Sequence, residues 1–252
     1  MTKRLITQLS AHLAAAAVAL ALVPASAMAS SAEGLQPAQI NIGDTASLQR
    51  GAALFVNYCS GCHSLEYQRY ARLAADLELT EEQVTQNLIF TGAKFGEEMK
   101  VAMDPADGEA WFGKAPPDLS LVARVRGADW IFSYLKGFYI DESRPVGWNN
   151  TVFPEVSMPH TLWELHGIQR PVYAESHDGG PRHIERLEMV QEGALTPGEY
   201  DRVARDITNF LQYVGEPAAL QREAYGLWVI LFLAALTFLT WLLKKEYWKD
   251  VH

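Results

Sequence analysis

The stretch Cys59-Ser60-Gly61-Cys62-His63 constrains this chain more than any other. It holds both of the chain's cysteines, spaced C-x-x-C, with a histidine directly after them. That is the spacing of a c-type haem attachment site. Each thiol can add to one haem vinyl group, and the adjacent imidazole then falls beneath the iron as proximal ligand. Other uses of the pair are poorer. Zinc asks for four ligands, and no second C-x-x-C or H-x3-H accompanies the motif. A redox dithiol belongs in a βαβ setting, which the pattern lacks. A structural disulfide has no need of His63.

Both ends of the chain bear on where such a site is assembled. Lys3 and Arg4 precede an apolar run from Leu13 to Val23, and Ala27-Met28-Ala29 offers small residues for cleavage. Residues 1–29 therefore read as a secretory signal peptide, because the run is short of the ~20 residues a membrane span needs. At the other end, Tyr225 to Leu243 is free of charge, and ~19 helical residues reach ~28 Å, close to the hydrocarbon thickness. Tyr225 and Trp228 sit at one end of this run, with Trp241, Tyr247 and Trp248 near the other, as interfacial belts do. Lys244, Lys245 and Lys249 follow and place the C-terminus in the cytoplasm by the positive-inside rule. The expected organisation is a signal peptide at 1–29, an exported haem domain at 30–220, an anchor helix at 221–245 and a cytoplasmic tail at 246–252. Without residues 1–29, which carry two bases and no acid, the net charge falls from -9 to -11. An exported domain this acidic argues against nucleic acid as a partner and would steer a basic protein toward itself.

The interior reads as mainly α. Asp44 or Thr45 caps a helix running to about Tyr58, with Leu48, Ala52 and Phe55 on one face and Gly51 suited to close helix approach. Thr80-Glu81-Glu82-Gln83 is a capping box opening a helix through Val84, Leu88 and Ile89, with Gly92 as its stop. Residues 93–118 read as loop. A further helix runs from Asp129 to Lys136. The span 138–195 has no sustained period and reads as long irregular insertions. Thr196-Pro197-Gly198-Glu199 is the clearest helix start in the chain. The stripe Tyr200, Val203, Ala204, Ile207, Phe210, Leu211 and Val214 follows it, ended by Gly215 and Pro217. This stripe is expected to cross the first helix near Gly51 and Phe55.

A haem with one histidine ligand needs a second ligand to carry electrons, and a thioether raises its potential relative to a second imidazole. Met99, Met103, Met158 and Met189 lie outside the signal region. Met158 stands between Pro154 and Pro159 in a non-helical stretch, where stiff backbone lowers the ordering cost. The spacing leaves it open as a core filler. Of His160, His166, His177 and His183, His160 is the strongest rival ligand, two residues from Met158. Arg124 and Arg126 follow Pro116-Pro117-Asp118-Leu119-Ser120 and are candidate partners for a haem propionate. A carbonyl of the Pro116-Pro117 segment is a candidate acceptor for the proximal histidine's other N–H.

These blocks resemble one family. Tyr58 through Tyr67, the run Ala115-Pro116-Pro117-Asp118-Leu119-Ser120, Arg124-Val125-Arg126, Ser157-Met158-Pro159 and the C-terminal anchor are similar to cytochrome c1 of bacterial type, the haem subunit of the ubiquinol–cytochrome c oxidoreductase (bc1) complex. The resemblance implies a cytochrome c-like helical domain with long loop insertions. Cys59 and Cys62 would hold one haem c, with His63 and Met158 as axial ligands and Arg126 at a propionate. Electrons would pass from a Rieske iron–sulfur protein to a cytochrome c acceptor. Cytochrome b and lipid would surround the anchor in a dimeric complex of the inner membrane, with the haem domain in the periplasm.

Overall fold

The computed structural model describes residues 34–174 and 183–250. The expected signal peptide lies outside them, as does His177. The fold described is that of the unit spanning Gln36–His252.

Two helices form its centre. α1 (Thr45–Tyr58) starts where the Asp44 carboxylate accepts from the Ser47 N–H, and it buries Leu48, Ala52 and Phe55. Its partner is the long helix Pro197–Gly215. There the Thr196–Glu199 capping box is complete and Pro197 sits at the first helical position. The two cross where expected. A Cβ on Gly51 would lie 2.1 Å from the Asp206 carbonyl oxygen and 2.6 Å from Phe210 Cβ, so only glycine lets the backbones approach this closely. Phe55 and Phe210 pack with ring centroids 5.8 Å apart. Charge also joins the crossing: Asp206 accepts from Ser47 Oγ at 2.6 Å and from Arg50 Nε at 2.7 Å.

Between these helices the chain departs from a plain helical reading. After the cysteine motif, β1 (Leu65–Arg69) leads into α2 (Tyr70–Asp76), and α3 (Glu81–Asn87) carries the predicted capping box at Thr80 and Gln83. α3 stops at Asn87, before Ile89 and well short of Gly92. The stretch 93–118 is not all loop. β2 (Glu98–Met99) pairs antiparallel with β1. α4 (Pro105–Phe112) begins at an Asp104 cap with Pro105 at its first position and ends at Gly113 in the left-handed conformation. Those are ordinary helix punctuation, overlooked because α4 buries little beyond Gly108 and so has no apolar stripe.

α5 (Val122–Arg126) and α6 (Ala128–Lys136) follow, the latter within one residue of expectation. The span 138–195 holds two antiparallel hairpins and a short helix rather than irregular chain. These are β3 (Phe138–Ile140) with β4 (Trp148–Asn150), α7 (Trp163–His166), and β5 (Gly167–Tyr173) with β6 (Ile184–Glu192). β5 and β6 bury few side chains on either face, so no period of two is written in them. Pro171 within β5 also argues against a strand.

α8 (Pro197–Gly215) closes the core with Tyr200, Ala204, Ile207, Phe210, Leu211 and Val214 buried. The segment before α1 is pinned inward. Ala38 is fully buried, its N–H donating to Asp129 and its carbonyl accepting from Arg205 Nε. α9 (Ala219–Tyr247) ends the described chain. Its Tyr225–Tyr247 portion has mean hydropathy 2.3 with none of it buried, and it is long and apolar enough to cross a membrane.

Candidate haem site

The candidate residues fall into two groups. The first forms where α1 ends. The Cys59 and Ser60 N–H groups donate to Phe55 O, and the Cys62 and His63 N–H groups donate back to Cys59 O at 3.0 and 2.9 Å. This tight turn presents two free thiols and an imidazole from five consecutive residues. Burial pushes the Cys59 thiol up to about 12, with neighbouring Cys62 adding to the shift. Burial also raises Cys62. Both are therefore neutral S–H groups at neutral pH.

His63 Nδ1 lies 2.7 Å from the Pro117 carbonyl oxygen. A carbonyl only accepts, so Nδ1 carries the hydrogen and Nε2 keeps its lone pair. Burial is the main influence on this imidazole and lowers its pKa, opposed by the Pro117 bond and the Asp118 charge. The Pro117 oxygen is set by its neighbours. Asp118 accepts from the N–H groups of Glu66 and Ser120, both at 2.8 Å. Ser120 Oγ accepts from the Tyr67 N–H, and the Leu119 N–H donates to Ser64 O. The block 116–120 is thus stitched to β1, two residues beyond the histidine.

The second group surrounds Met158. The Tyr134 hydroxyl on α6 donates to Met158 Sδ at 3.3 Å. Tyr134 stacks on Trp130 at 4.9 Å, and the Arg126 guanidinium lies 5.1 Å from the Trp130 ring centre and 5.7 Å from that of Phe153. Among the described residues no ion pair involves Arg126. Its cationic face is therefore available to an anion, held by two aromatic faces. Burial raises the Tyr134 hydroxyl well above the ordinary tyrosine range, so it remains a donor.

The loop before Met158 is fixed by amides at the end of β4. Asn150 Oδ1 accepts from the N–H groups of Val152 and Phe153, and its Nδ2 donates to Tyr134 O at 2.8 Å. Asn149 Oδ1 accepts from the Glu155 N–H, and Arg144 Nη2 donates to Glu155 O. Glu155 itself sits at φ 61, a left-handed conformation that a non-glycine residue adopts only when its surroundings hold it there. Ser143 and Asn149 both donate to Asp141 and hold its carboxyl below the ordinary range.

The remaining candidates are engaged elsewhere. His160 is 2% exposed, stacked on Phe138 at 4.8 Å, and its Nε2 lies 2.9 Å from His166 Nδ1. His166 stacks in turn on Tyr200 at 3.9 Å. Arg124 lies 3.9 Å from Glu216 and packs over Gly215, away from the aromatic group that holds Arg126. Met99 is buried in β2, Met103 rests against Gly108, and Met189 is exposed on β6. Sequence reasoning missed Tyr134, Asn149 and Asn150 as supports of the site. The Asn-Asn pair at Asn149 and Asn150 was the available signal, since such side chains cap turns.

The donor set suits haem c. It provides two unpaired thiols at the right spacing, an imidazole with one nitrogen held and the other free, a thioether on a braced loop, and a guanidinium without a carboxylate. Helical core, attachment turn and exposed terminal helix together define a membrane-anchored cytochrome of the c type. The model of the Cytochrome C1 family matches residues 39–251. Cytochrome c1 of Allochromatium vinosum is 53% identical over 92% of this chain and 96% of its own length. A protein named ammonia monooxygenase gamma subunit in Nitrosomonas europaea is 44% identical over 93% of this chain and 97% of its own. The mitochondrial cytochrome c1 haem protein of Saccharomyces cerevisiae is 27% identical over 82% of this chain and 68% of its own. The chain belongs to the cytochrome c1 family, the haem subunit of the bc1 complex.

Proposed function

We propose that this chain is the electron exit of the complex: a single haem c bound covalently through Cys59 and Cys62, with His63 and Met158 as axial ligands. The observation that carries this reading is the His63–Pro117 contact at 2.7 Å, which leaves the imidazole Nε2 unprotonated beside two free thiols. When bound, the haem supplies one-electron redox chemistry. The protein's part is to hold it, exclude water from it and set its potential. Pro117 fixes the proximal ring, Arg126 meets a propionate, and the braced loop keeps Met158 in place. Arg124, engaged near Glu216, has a lesser part.

Electrons arrive from a Rieske iron–sulfur protein and leave to a cytochrome c acceptor. Residues 1–29 direct export and are removed, residues 30–220 work in the periplasm, 221–245 anchor the chain beside cytochrome b and lipid, and 246–252 are cytoplasmic. The lysines after the anchor and the acidic exported domain support that orientation. A relative named cytochrome b/c1 in Bradyrhizobium diazoefficiens, of which this chain covers 40%, supports cytochrome b as neighbour. The functional unit is a dimeric complex.

Purification of the intact complex through a tag on this chain tests the assignment. A di-haem b-type cytochrome and an iron–sulfur protein should accompany it, with haem remaining on this chain in a denaturing gel. A colourless chain, or one recovered with a different set of redox partners, contradicts it.

A further inference from the structure

We propose that Tyr134 is a positioning residue for the Met158 thioether, its hydroxyl fixing the sulfur's orientation and lowering the sulfur's donor strength. The proposal rests on the reading of Met158 as an axial ligand. The geometry is direct. Tyr134 Oη lies 3.3 Å from Met158 Sδ, and among the described residues this is that hydroxyl's hydrogen bond. The tyrosine ring is held from several sides: by Trp130 at 4.9 Å and 9°, by Phe138 edge-on at 5.0 Å, and through its main-chain carbonyl by Asn150. The donor is therefore rigid, and the acceptor is the flexible partner.

That asymmetry matters. Methionine has three rotatable bonds, and ordering them costs free energy when a ligand is formed. A fixed O–H that selects one orientation removes much of that cost. A thioether sulfur has two lone pairs. With one directed to a metal, the other can accept the tyrosine hydrogen, though sulfur is a weak acceptor. A hydrogen bond to a ligand atom draws electron density from it. It therefore disfavours the more electron-poor ferric iron and raises the potential, as hydrogen bonding around a haem ligand does in general. Tyr134 stacks on Trp130, its neighbour on α6, and Trp130 lies under Arg126 at the end of α5, so the proposed ligand and the proposed propionate partner are joined through one pair of stacked rings.

The test compares Y134F, M158L and Y200F in the full-length chain, matured and assembled in its membrane complex. The readouts are the methionine-to-iron charge-transfer band of the oxidised protein and the midpoint potential. Y134F keeps the ring and removes only the hydroxyl. It should shift or weaken the band and lower the potential, moving the one-electron equilibrium up to tenfold, or about 59 mV. Y200F removes another buried hydroxyl, which donates to Leu135 O at 2.8 Å. It should lower thermal stability and leave band and potential alone. Site-specific 3-fluorotyrosine at 134 preserves the fold and makes the hydroxyl a stronger donor, so the potential should rise. An unchanged band and potential in Y134F, with the band lost in M158L, overturns the role of Tyr134 while leaving Met158 as ligand. A band that persists in M158L removes Met158 from the iron, and Tyr134's role with it.

Discussion

Pro117 meets His63 through a main-chain oxygen set within residues 116–120, whereas Met158 is braced by side chains from positions 134, 144, 149 and 150. The proposed proximal side is one turn and one short block, tied to β1 by bonds from Glu66, Tyr67 and Leu119. The proposed distal side is a loop with a left-handed Glu155, kept in shape only by its neighbours. The difference teaches that one side joins two short segments 54 positions apart, and the other gathers side chains from within 24 positions around one loop. Damage should follow the same division. Proximal changes should act on haem attachment, and distal changes on potential and loop stability.

The largest effect is expected on the proximal side. Replacing both Cys59 and Cys62 with serine should abolish haem staining on a denaturing gel, since no other cysteine exists to form a thioether. Full staining in the double variant would break the comparison at its root.

Asn150→Ala should come next. It removes the shared acceptor of the part-buried Val152 and Phe153 N–H groups and one of two donors to the Tyr134 carbonyl, which keeps the Gly137 N–H. A typical hydrogen bond contributes ~0.5–1.5 kcal/mol net, so a loss of about 1–2 kcal/mol in denaturant unfolding is expected. Covalent haem should remain in place. Equal loss of haem staining would mean that the two sides do not behave separately.

Acid should sharpen the contrast. Burial pushes His166 down to about 4, with Lys136 adding and Asp201 opposing. His160 and Tyr200 are its ring neighbours. Its folded-state value lies below the unfolded value near 6.5, so the unfolded chain takes up the proton first. Its stabilising contribution is complete above pH 6.5 and is lost as pH falls toward 4. The expected size is about 3 kcal/mol, from ~1.4 kcal/mol per pH unit. Urea unfolding between pH 7 and 4 measures this, and His166→Phe should lessen the dependence without abolishing it, because burial pushes His160 down to about 3 as well. A wild-type curve level across that window would contradict it.

The smallest effect is expected at Arg124. This exposed group lies 3.9 Å from Glu216, and such surface pairs contribute ~0–1 kcal/mol. Arg124→Ala should change stability by less than about 1 kcal/mol and leave the potential unmoved, whereas Arg126→Ala should lower the potential. A potential that responds to Arg124 and not to Arg126 would reverse their roles.

What could be read from the sequence is what short-range signals or strong periodicity encode. The attachment turn, the helix starts at Thr80 and Thr196, the α1–α8 crossing at Gly51 and the terminal anchor helix are encoded by neighbours or by strong periodicity. α4 was hidden because it buries little, although Asp104, Pro105 and Gly113 spelled out its ends. The β5–β6 hairpin was hidden because both its faces are mostly exposed. Tyr134 read simply as one more aromatic on an amphipathic helix. Its contact with Met158 spans 24 positions and exists only once the Asn149–Asn150 end of β4 has shaped the loop.

Near-infrared magnetic circular dichroism of the oxidised, membrane-assembled protein tests the central claim most directly, because it reports the pair of axial ligands. A histidine–methionine signature that is lost in Met158→Leu, with covalent haem retained, is the predicted result. A bis-histidine or five-coordinate signature in the wild-type protein would contradict it.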